Sequence, residues 1–404
     1  MSNENRNVPE LRFPGFEDEW IKMKLDNLGN IFTGSTPDTS KYELYEGKYP
    51  FVSPIDIHNN RYVKSTNKTV SKEGFYGGRV IPKGASLFVC IGSTIGKVGQ
   101  AEIDVTTNQQ INALIPYENY DDNYIYTNLY KSSNKIKKLA ATQAVPIINK
   151  KTFSNFSIYI PKFKEQKKIG DFFSKLDRQI ELEEEKLELL EQQKRGYMQK
   201  LFSQELRFKD EIGNEYPEWK NTKLRNVIKL QNGYAFKSNL FTEKGIPIIR
   251  ITDINKSLVS EGTVYYPRNI NIDEKFIINK NDILIAMSGA TTGKLGKYIS
   301  DTSSYLNQRI GKFVMKNKTN NDFLFAYLNS IYFKKELIKL LVSGAQPNIS
   351  SQDIENIELS LPDPEEQRKI GIFLSNFDEF IQKQSIKIEQ LKQRKKGLLQ
   401  KMFI

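Results

Sequence analysis

The stretch that decides the fold is Pro161–Phe202, PKFKEQKKIGDFFSKLDRQIELEEEKLELLEQQKRGYMQKLF, because the chain contains it twice. Shifted by 201 residues it falls on Pro362–Phe403, PDPEEQRKIGIFLSNFDEFIQKQSIKIEQLKQRKKGLLQKMF, with no gap and 19 of 42 pairs identical. Self-similarity at a fixed period marks a structural unit used more than once. In the first copy a seam steps by four and three through Ile169, Phe173, Leu176, Ile180, Glu183, Leu187, Leu190, Lys194, Tyr197 and Leu201. In the second it runs through Ile370, Leu374, Phe377, Ile381, Gln384, Ile388, Leu391, Lys395, Leu398 and Met402. Each seam is apolar at eight of ten positions, and the polar breaks fall at matching places. Sustained heptads predict two long helices that pair as a coiled coil; the alternative is a helix lying on its own globule. Glycine in a helix costs about 1 kcal/mol, so Gly196 and Gly397, in the last turns, predict either a frayed end or the close approach of another backbone, with close approach favoured.

The match continues upstream in weaker form. Glu10-Leu-Arg-Phe13 answers Glu205-Leu-Arg-Phe208, each followed by a Trp (Trp20, Trp219) and a Lys-Leu (Lys24-Leu25, Lys223-Leu224). PFVSPIDI (50–57) answers IPIIRITDI (246–254), IPKGASLFVCIGSTIGKVG (81–99) answers INKNDILIAMSGATTGKLG (278–296), and TNQQIN (107–112) answers LNQRIG (306–311). Between the helices, short β-rich runs such as SLFVCIG and DILIAMSG are broken by Gly, Pro, Asn and Asp, with one helical stretch each near 123–140 and 322–342. The predicted fold class is mixed α/β (α+β). A disordered tail (1–8) precedes a first globule (9–160), a long helix (161–204), a second globule (205–361) and a second long helix (362–404). If the helices pair antiparallel, a pseudo-twofold axis relates the two copies.

Composition narrows the function. The 404 residues carry 60 Lys+Arg against 48 Asp+Glu, a net +12 shared by both halves. That excess suits a protein that meets a polyanion without proving it. No apolar run approaches the roughly 18 residues of a membrane span, and the start MSNENRNVPE lacks the regions of a secretory signal, so a cytoplasmic location is expected. Cys90 and His58 are the only residues of their kinds, which excludes an internal disulfide and any zinc site built on Cys and His. Cys90, within SLFVCIG, reads as a small buried hydrophobe, and His58, within DIHNN, as a solvated loop residue.

Geometry ties the repeat to a duplex. A helix from Ile169 to Leu201 spans roughly 50 Å at about 1.5 Å per residue, comparable with or longer than the roughly 34–36 Å between half-sites one DNA turn apart. Two heads held by such helices could grip separated half-sites, and lengthening the helix by a heptad within 181–191 would lengthen the unread gap.

The residues also carry a resemblance. Ser343-Gly-Ala-Gln-Pro-Asn-Ile-Ser350, then IENIELSLPDPEEQRKIGIFLSNFDEFI and the ending KGLLQKMF, resemble the specificity subunit of type I restriction-modification systems. QAVPIINKKTF, FSIYIP, EQKKIGDFFSKLDRQI and RGYMQKLF match the same pattern in the first copy, departing where Pro146-Ile-Ile stands for Pro347-Asn-Ile. The resemblance covers nearly the whole chain, and its most specific part is the P-x-x-x-EQ-x-x-IG helix opening. It implies two target recognition domains, each reading one half of a bipartite, asymmetric double-stranded DNA sequence, joined by two antiparallel helices. It further implies two methyltransferase subunits that bind S-adenosylmethionine and modify adenine at N6, and ATP-driven restriction subunits that translocate and cleave. This chain itself is then expected to hold no cofactor and no catalytic site.

Candidate contacts follow from residue chemistry. Gly92-Ser-Thr-Ile-Gly96-Lys97 and Gly289-Ala-Thr-Thr-Gly293-Lys294 superficially resemble a phosphate-binding loop, but three residues rather than four separate the glycines and no Ser or Thr follows the Lys. They read instead as strand-to-strand turns, either purely structural or placing Lys97 and Lys294 on a DNA phosphate. Lys137 and Lys138 on the first predicted helix, and Lys335 in the equivalent place, are further phosphate candidates, since basic side chains position a protein on the backbone. Amides and arginines read base edges. That points to Asn108, Gln109 and Gln110, to Asn307, Gln308 and Arg309, and to Thr142, Gln143 and Gln346. Two other classes stay open: an autonomous restriction-methylation enzyme, against which stands the absence of NPPY- or DPPY-like and dinucleotide motifs, and a protein-binding scaffold with incidental charge.

Overall fold

The computed structural model describes residues 7–58, 60–140, 146–255, 257–316, 318–342 and 348–404. They form two compact units, one reaching to Lys186 and including Gln384–Ile404, the other Leu187–Lys383. The boundary falls inside both long helices, so each unit holds one globule, the start of its own helix and the end of the other copy's helix. The sequence reading, which set the helices apart as spacers over 161–204 and 362–404, did not anticipate this division.

In the first unit a five-stranded sheet has the order Gly29–Thr33, Ile111–Pro116, Ser86–Val89, Val98–Ala101, Tyr62–Val63. The first four neighbours are antiparallel and the last joins in parallel. Ser86–Val89 is buried at every residue because both faces are covered. Leu87 and Val89 face a core with Val52, Ile57 and Ile111, while Phe88 and Cys90 face the core under the helix Asp122–Lys137, as the period of two in a strand requires. A three-stranded sheet, Lys68–Val70, Tyr45–Val52 and Thr106–Thr107, lies beside it in the chain's topology. The strand Ile21–Lys24 pairs antiparallel with Ser157–Ile160, fastening the globule's beginning to its end. Residues 1–6 of the tail expected over 1–8 lie outside the described residues, and at its end the Asn7 carbonyl accepts from Trp20 N at 2.8 Å.

The second unit repeats this plan. Its main sheet runs Ile228–Asn232, Ile310–Met315, Ile283–Ala286, Leu295–Tyr298, Ser257–Val259, Ile254–Asn255, and Lys220–Lys223 pairs antiparallel with Glu358–Leu361. One element departs from the expected single helix over 322–342. The chain forms Asn321–Asn329 and then Ile331–Val342, because Ser330 is extended (φ −69°, ψ 160°).

The long helices, Phe163–Phe202 and Pro364–Lys401, pair antiparallel within each unit. Nineteen of the twenty seam positions are buried or half-buried; Tyr197 is the exception, and its ring packs edge-on against Phe373 at 5.1 Å. The polar breaks are all engaged across the pair, Glu183 with Gln384 and the two lysines with aspartates of the facing helix. Gln384 Nε2 donates to the Glu183 carbonyl at 2.8 Å and to Glu183 Oε2 at 2.6 Å. Lys395 meets Asp177 at 2.5 Å in the first unit, and Lys194 meets Asp378 at 2.5 Å in the second. Buried polar groups that satisfy one another at a single alignment specify register.

The helix opening P-x-x-x-EQ-x-x-IG is structural throughout. Glu165, 1% exposed, accepts a two-pronged bond from Arg12 at 2.7 Å, and Glu366, fully buried, accepts one from Arg207 at 3.1 and 2.7 Å. These bonds are the leading reason both guanidinium groups titrate above their ordinary value. Gln166 Nε2 donates to the Pro161 carbonyl at 2.9 Å while its Oε1 accepts from Asp121 N; Gln367 does the same with Pro362 and Asn320. A Cβ on Gly170 or Gly371 would lie 2.1 or 2.5 Å from the capping side chain of Asp121 or Asn320. Only glycine lets these two helix starts approach so closely.

Each globule's core is completed by the end of the other copy's helix. Phe403 packs against Trp20 (6.1 Å), Tyr124 (5.5 Å) and Phe173 (5.8 Å) in the first unit. Phe202 packs against Trp219 (6.4 Å), Phe323 (5.8 Å) and Tyr327 (5.8 Å) in the second. Phe403→Ala and Phe202→Ala should each lower the free energy of unfolding in urea by about 3–5 kcal/mol, the cost of emptying a buried aromatic site. Gly196 and Gly397 obey neither sequence expectation. Both helices continue past them, and a Cβ there would meet nothing within 4 Å. Gly196→Ala and Gly397→Ala should therefore each raise stability by about 1 kcal/mol in the same measurement.

Candidate nucleic-acid interface

Both glycine turns are hairpin loops between antiparallel strands, with no helix opening after them, so they are not phosphate-binding loops of the nucleotide kind. Gly92, Gly96, Gly289 and Gly293 all have φ between +83° and +95°, a region open to glycine and strained for other residues. The main-chain bonds repeat too: Gly96 N donates to Val89 O at 2.9 Å and Gly293 N to Ala286 O at 2.8 Å. The same turn is thus built twice, ending in Lys97 and in Lys294, whose side chains have no partner among the described residues.

In the first unit this turn joins two of the predicted clusters. At one end, a Cβ on Gly92 would sit 3.6 Å from Gln110 Nε2; at the other, a Cβ on Gly96 would sit 3.5 Å from Lys137 Cβ. Gln110 thus lies beside one end of the turn and Lys137 beside the other, where Lys97 and Lys137 line a groove with Arg61, Asp177, Glu181 and Lys395; Lys137 and Lys138 are exposed. Within the loop the roles divide. Asn108 is a turn-holder: its Oδ1 accepts from Gln110 N at 3.1 Å and its Nδ2 donates to Gln110 Oε1 at 2.9 Å. Gln109 is exposed, with its Oε1 accepting from Thr36 Oγ1 at 2.5 Å, and its amide donors have no partner among the described residues.

The second unit builds the corresponding loop with different side chains. Asn307 Oδ1 accepts from Arg309 N at 3.3 Å and so holds the turn as Asn108 does. Gln308 and Arg309 are exposed and make no side-chain bond among the described residues. The loop is pressed against Gly233, where a Cβ would lie 2.0 Å from the Asn307 carbonyl, as Gly34 lies against Asn108. Lys335 is not brought to this face. Gly293 meets Leu337, two residues and about 200° around the helix from Lys335, and Lys335 lines a separate groove with Trp219, Tyr332 and Lys339. Thr142, Gln143 and Gln346 lie outside the described residues.

Other residues near this face have structural roles, and one arginine arrives there without a sequence signal. Lys131, on the same helix as Lys137, is half-buried and donates to the Ile404 carbonyl; burial, and then the nearby Lys135 charge, push its ammonium down to about 8. Arg79 sits exposed beside the first loop, donating to the Thr33 carbonyl at 2.7 Å over the Phe32 ring. Nothing in YGGRV marks it, because the approach is made across the sheet. Cys90 is buried, its thiol pushed up to about 12 by burial, with Asn112 Nδ2 donating to its Sγ at 3.0 Å. His58 is exposed. Among the described residues no group of His, Cys, Asp and Glu could hold a metal ion, and no helix is long and apolar enough to cross a membrane.

The sequence matches the model of the type I restriction modification DNA specificity domain twice, over residues 17–192 and 216–393. The chain belongs to this family. Each match spans a globule and most of the helix that follows it, the same unit as the internal repeat. Among curated members, the type I restriction enzyme MjaVIII specificity subunit of Methanocaldococcus jannaschii is 29% identical over 405 residues, covering 96% of this chain and 92% of the relative. The MjaIX specificity subunit of the same organism is 25% identical, covering 95% and 92%. The crystal structure of the type I restriction-modification S subunit from M. genitalium has the same fold, with a TM-score of 0.70 over 98% of this chain and 99% of that one at 18% identity. The two globules of this chain, each with most of the helix that follows it, are its two copies of the specificity domain.

Proposed function

We propose that this chain is the specificity subunit of a type I restriction-modification complex, each globule reading one half of a bipartite double-stranded DNA target. One observation carries this reading: the same rim, a glycine turn ending in a lysine with no partner among the described residues, beside a turn held by Asn108 or Asn307, is built twice with different exposed side chains. A shared backbone with different polar tips suits two heads that grip phosphates alike and read different bases. The names of the curated relatives support it. Methylation and cleavage then belong to partner subunits, two methyltransferases that use S-adenosylmethionine and restriction subunits that use ATP, with this chain supplying the address.

The loop assignment is tested by Gln308→Ala with Arg309→Ala in the chain assembled with methyltransferase subunits. Affinity for the cognate duplex should fall by at least about tenfold, with discrimination lost at one or two base pairs of one half-site. Unchanged affinity and an unchanged methylated sequence would remove that loop from the interface. A scaffold with incidental charge predicts no sequence-dependent, salt-sensitive retardation of duplex DNA at all.

The spacer reading needs a change in both helices. An insertion in 181–191 alone would shift Phe202 out of register with the core it completes, because the central helix ends in the second unit. One heptad added after Lys186 together with one after Lys383 keeps Glu183 with Gln384 and Lys194 with Asp378 and should lengthen the unread gap in the methylated sequence while leaving both half-sites unaltered.

A further inference from the structure

The geometry points to Arg250 as a base-reading residue of the second globule, specific for guanine. This rests on the proposal that the globules read DNA, and adds a residue that neither the loop motifs nor the family match single out. Strand Ile246–Ile249 runs parallel to Ser304–Leu306 with Ile249 opposite Leu306, so the next residue, Arg250, leaves the sheet beside Asn307, where the Gln308–Arg309 loop begins. Ile251 follows against the glycine turn, its Cδ1 being 3.4 Å from a Cβ built on Gly289. Arg250 therefore stands between the two loops of the rim.

The backbone at this place is the same in both heads, and the side chain is not. In the first unit Val52 lies opposite Thr107, which puts Ser53 beside Asn108. Asp56 Oδ2 accepts from Ser53 N at 2.8 Å, and Asp253 Oδ2 accepts from Arg250 N at 2.7 Å. Here the two positions diverge: the Ser53 hydroxyl turns back onto Asp56 at 2.7 Å, whereas the Arg250 side chain is 40% exposed, with its Nε buried. Thr263 Oγ accepts from one terminal nitrogen at 3.2 Å, and Asp253 stands 3.9 Å from Nε. The other terminal nitrogen has no partner among the described residues. A guanidinium steadied at its root with open donors at its tip is the group that pairs with guanine O6 and N7 in the major groove.

The test uses the chain assembled with methyltransferase subunits, on duplexes in which each base pair of the cognate target is changed in turn. The wild type should require guanine at one position of one half-site. Arg250→Ser, which installs the first head's residue, and Arg250→Gln should lose at least about tenfold of that discrimination and leave the other half-site's discrimination intact. The intact half-site shows that the complex is folded and docked. A uniform loss over all duplexes with a shallower salt dependence would make Arg250 a phosphate contact and overturn the proposal, as would unchanged discrimination. If only the Arg250 variants behave like wild type while Gln308→Ala with Arg309→Ala does not, the proposal for Arg250 fails and the DNA-reading function stands. A wild type with no sequence dependence overturns both.

Discussion

The exchange of helix ends is the constraint on which the rest of the structure depends. Phe403 and Phe202 each fill an aromatic site in a globule that belongs to the other copy of the repeat. Neither core is complete with its own repeat, so the two copies are tied by the hydrophobic effect as well as by the chain. The consequence reaches function, because any change in helix length is felt at a core.

Around that constraint the helices are aligned by polar groups. An apolar seam alone would tolerate a slip of one heptad, since each heptad offers the next the same surface. Glu183 with Gln384, Asp177 with Lys395 and Lys194 with Asp378 are satisfied at one alignment only. The diagnostic helix opening works in the same way, its Glu holding an upstream Arg and its Gln joining two helix starts. These residues secure the frame, leaving the rim loops free to differ.

Much of this was legible in the residues. The repeat, the helices and the matching polar breaks could be read from spacing, because coiled-coil periodicity is local and the duplication supplied its own comparison. The Asn-Gln loops and glycine turns were legible as loops. Their division of labour was not: Asn108 and Asn307 hold turns while Gln308 and Arg309 point outward, and composition treats all four alike. Lys335 was misplaced because the break at Ser330 changes the phase of the helix that carries it. Gly196 and Gly397 lie against open space, and no one-dimensional pattern reports what a missing Cβ would touch.

The sequence by itself determined that one unit is used twice, that two long amphipathic helices pair, and that the chain carries a basic excess without the histidines and cysteines of a metal enzyme. Those are properties of composition and of short periods along the chain. Only the tertiary structure decided which polar residues are engaged and which are offered. Arg79 and Arg250 reach the rims through sheet registers that join residues dozens of positions apart. The physical reason is that helix patterning is set by neighbours three and four residues away, whereas a recognition surface is assembled by β-pairing, whose partners no local period reveals.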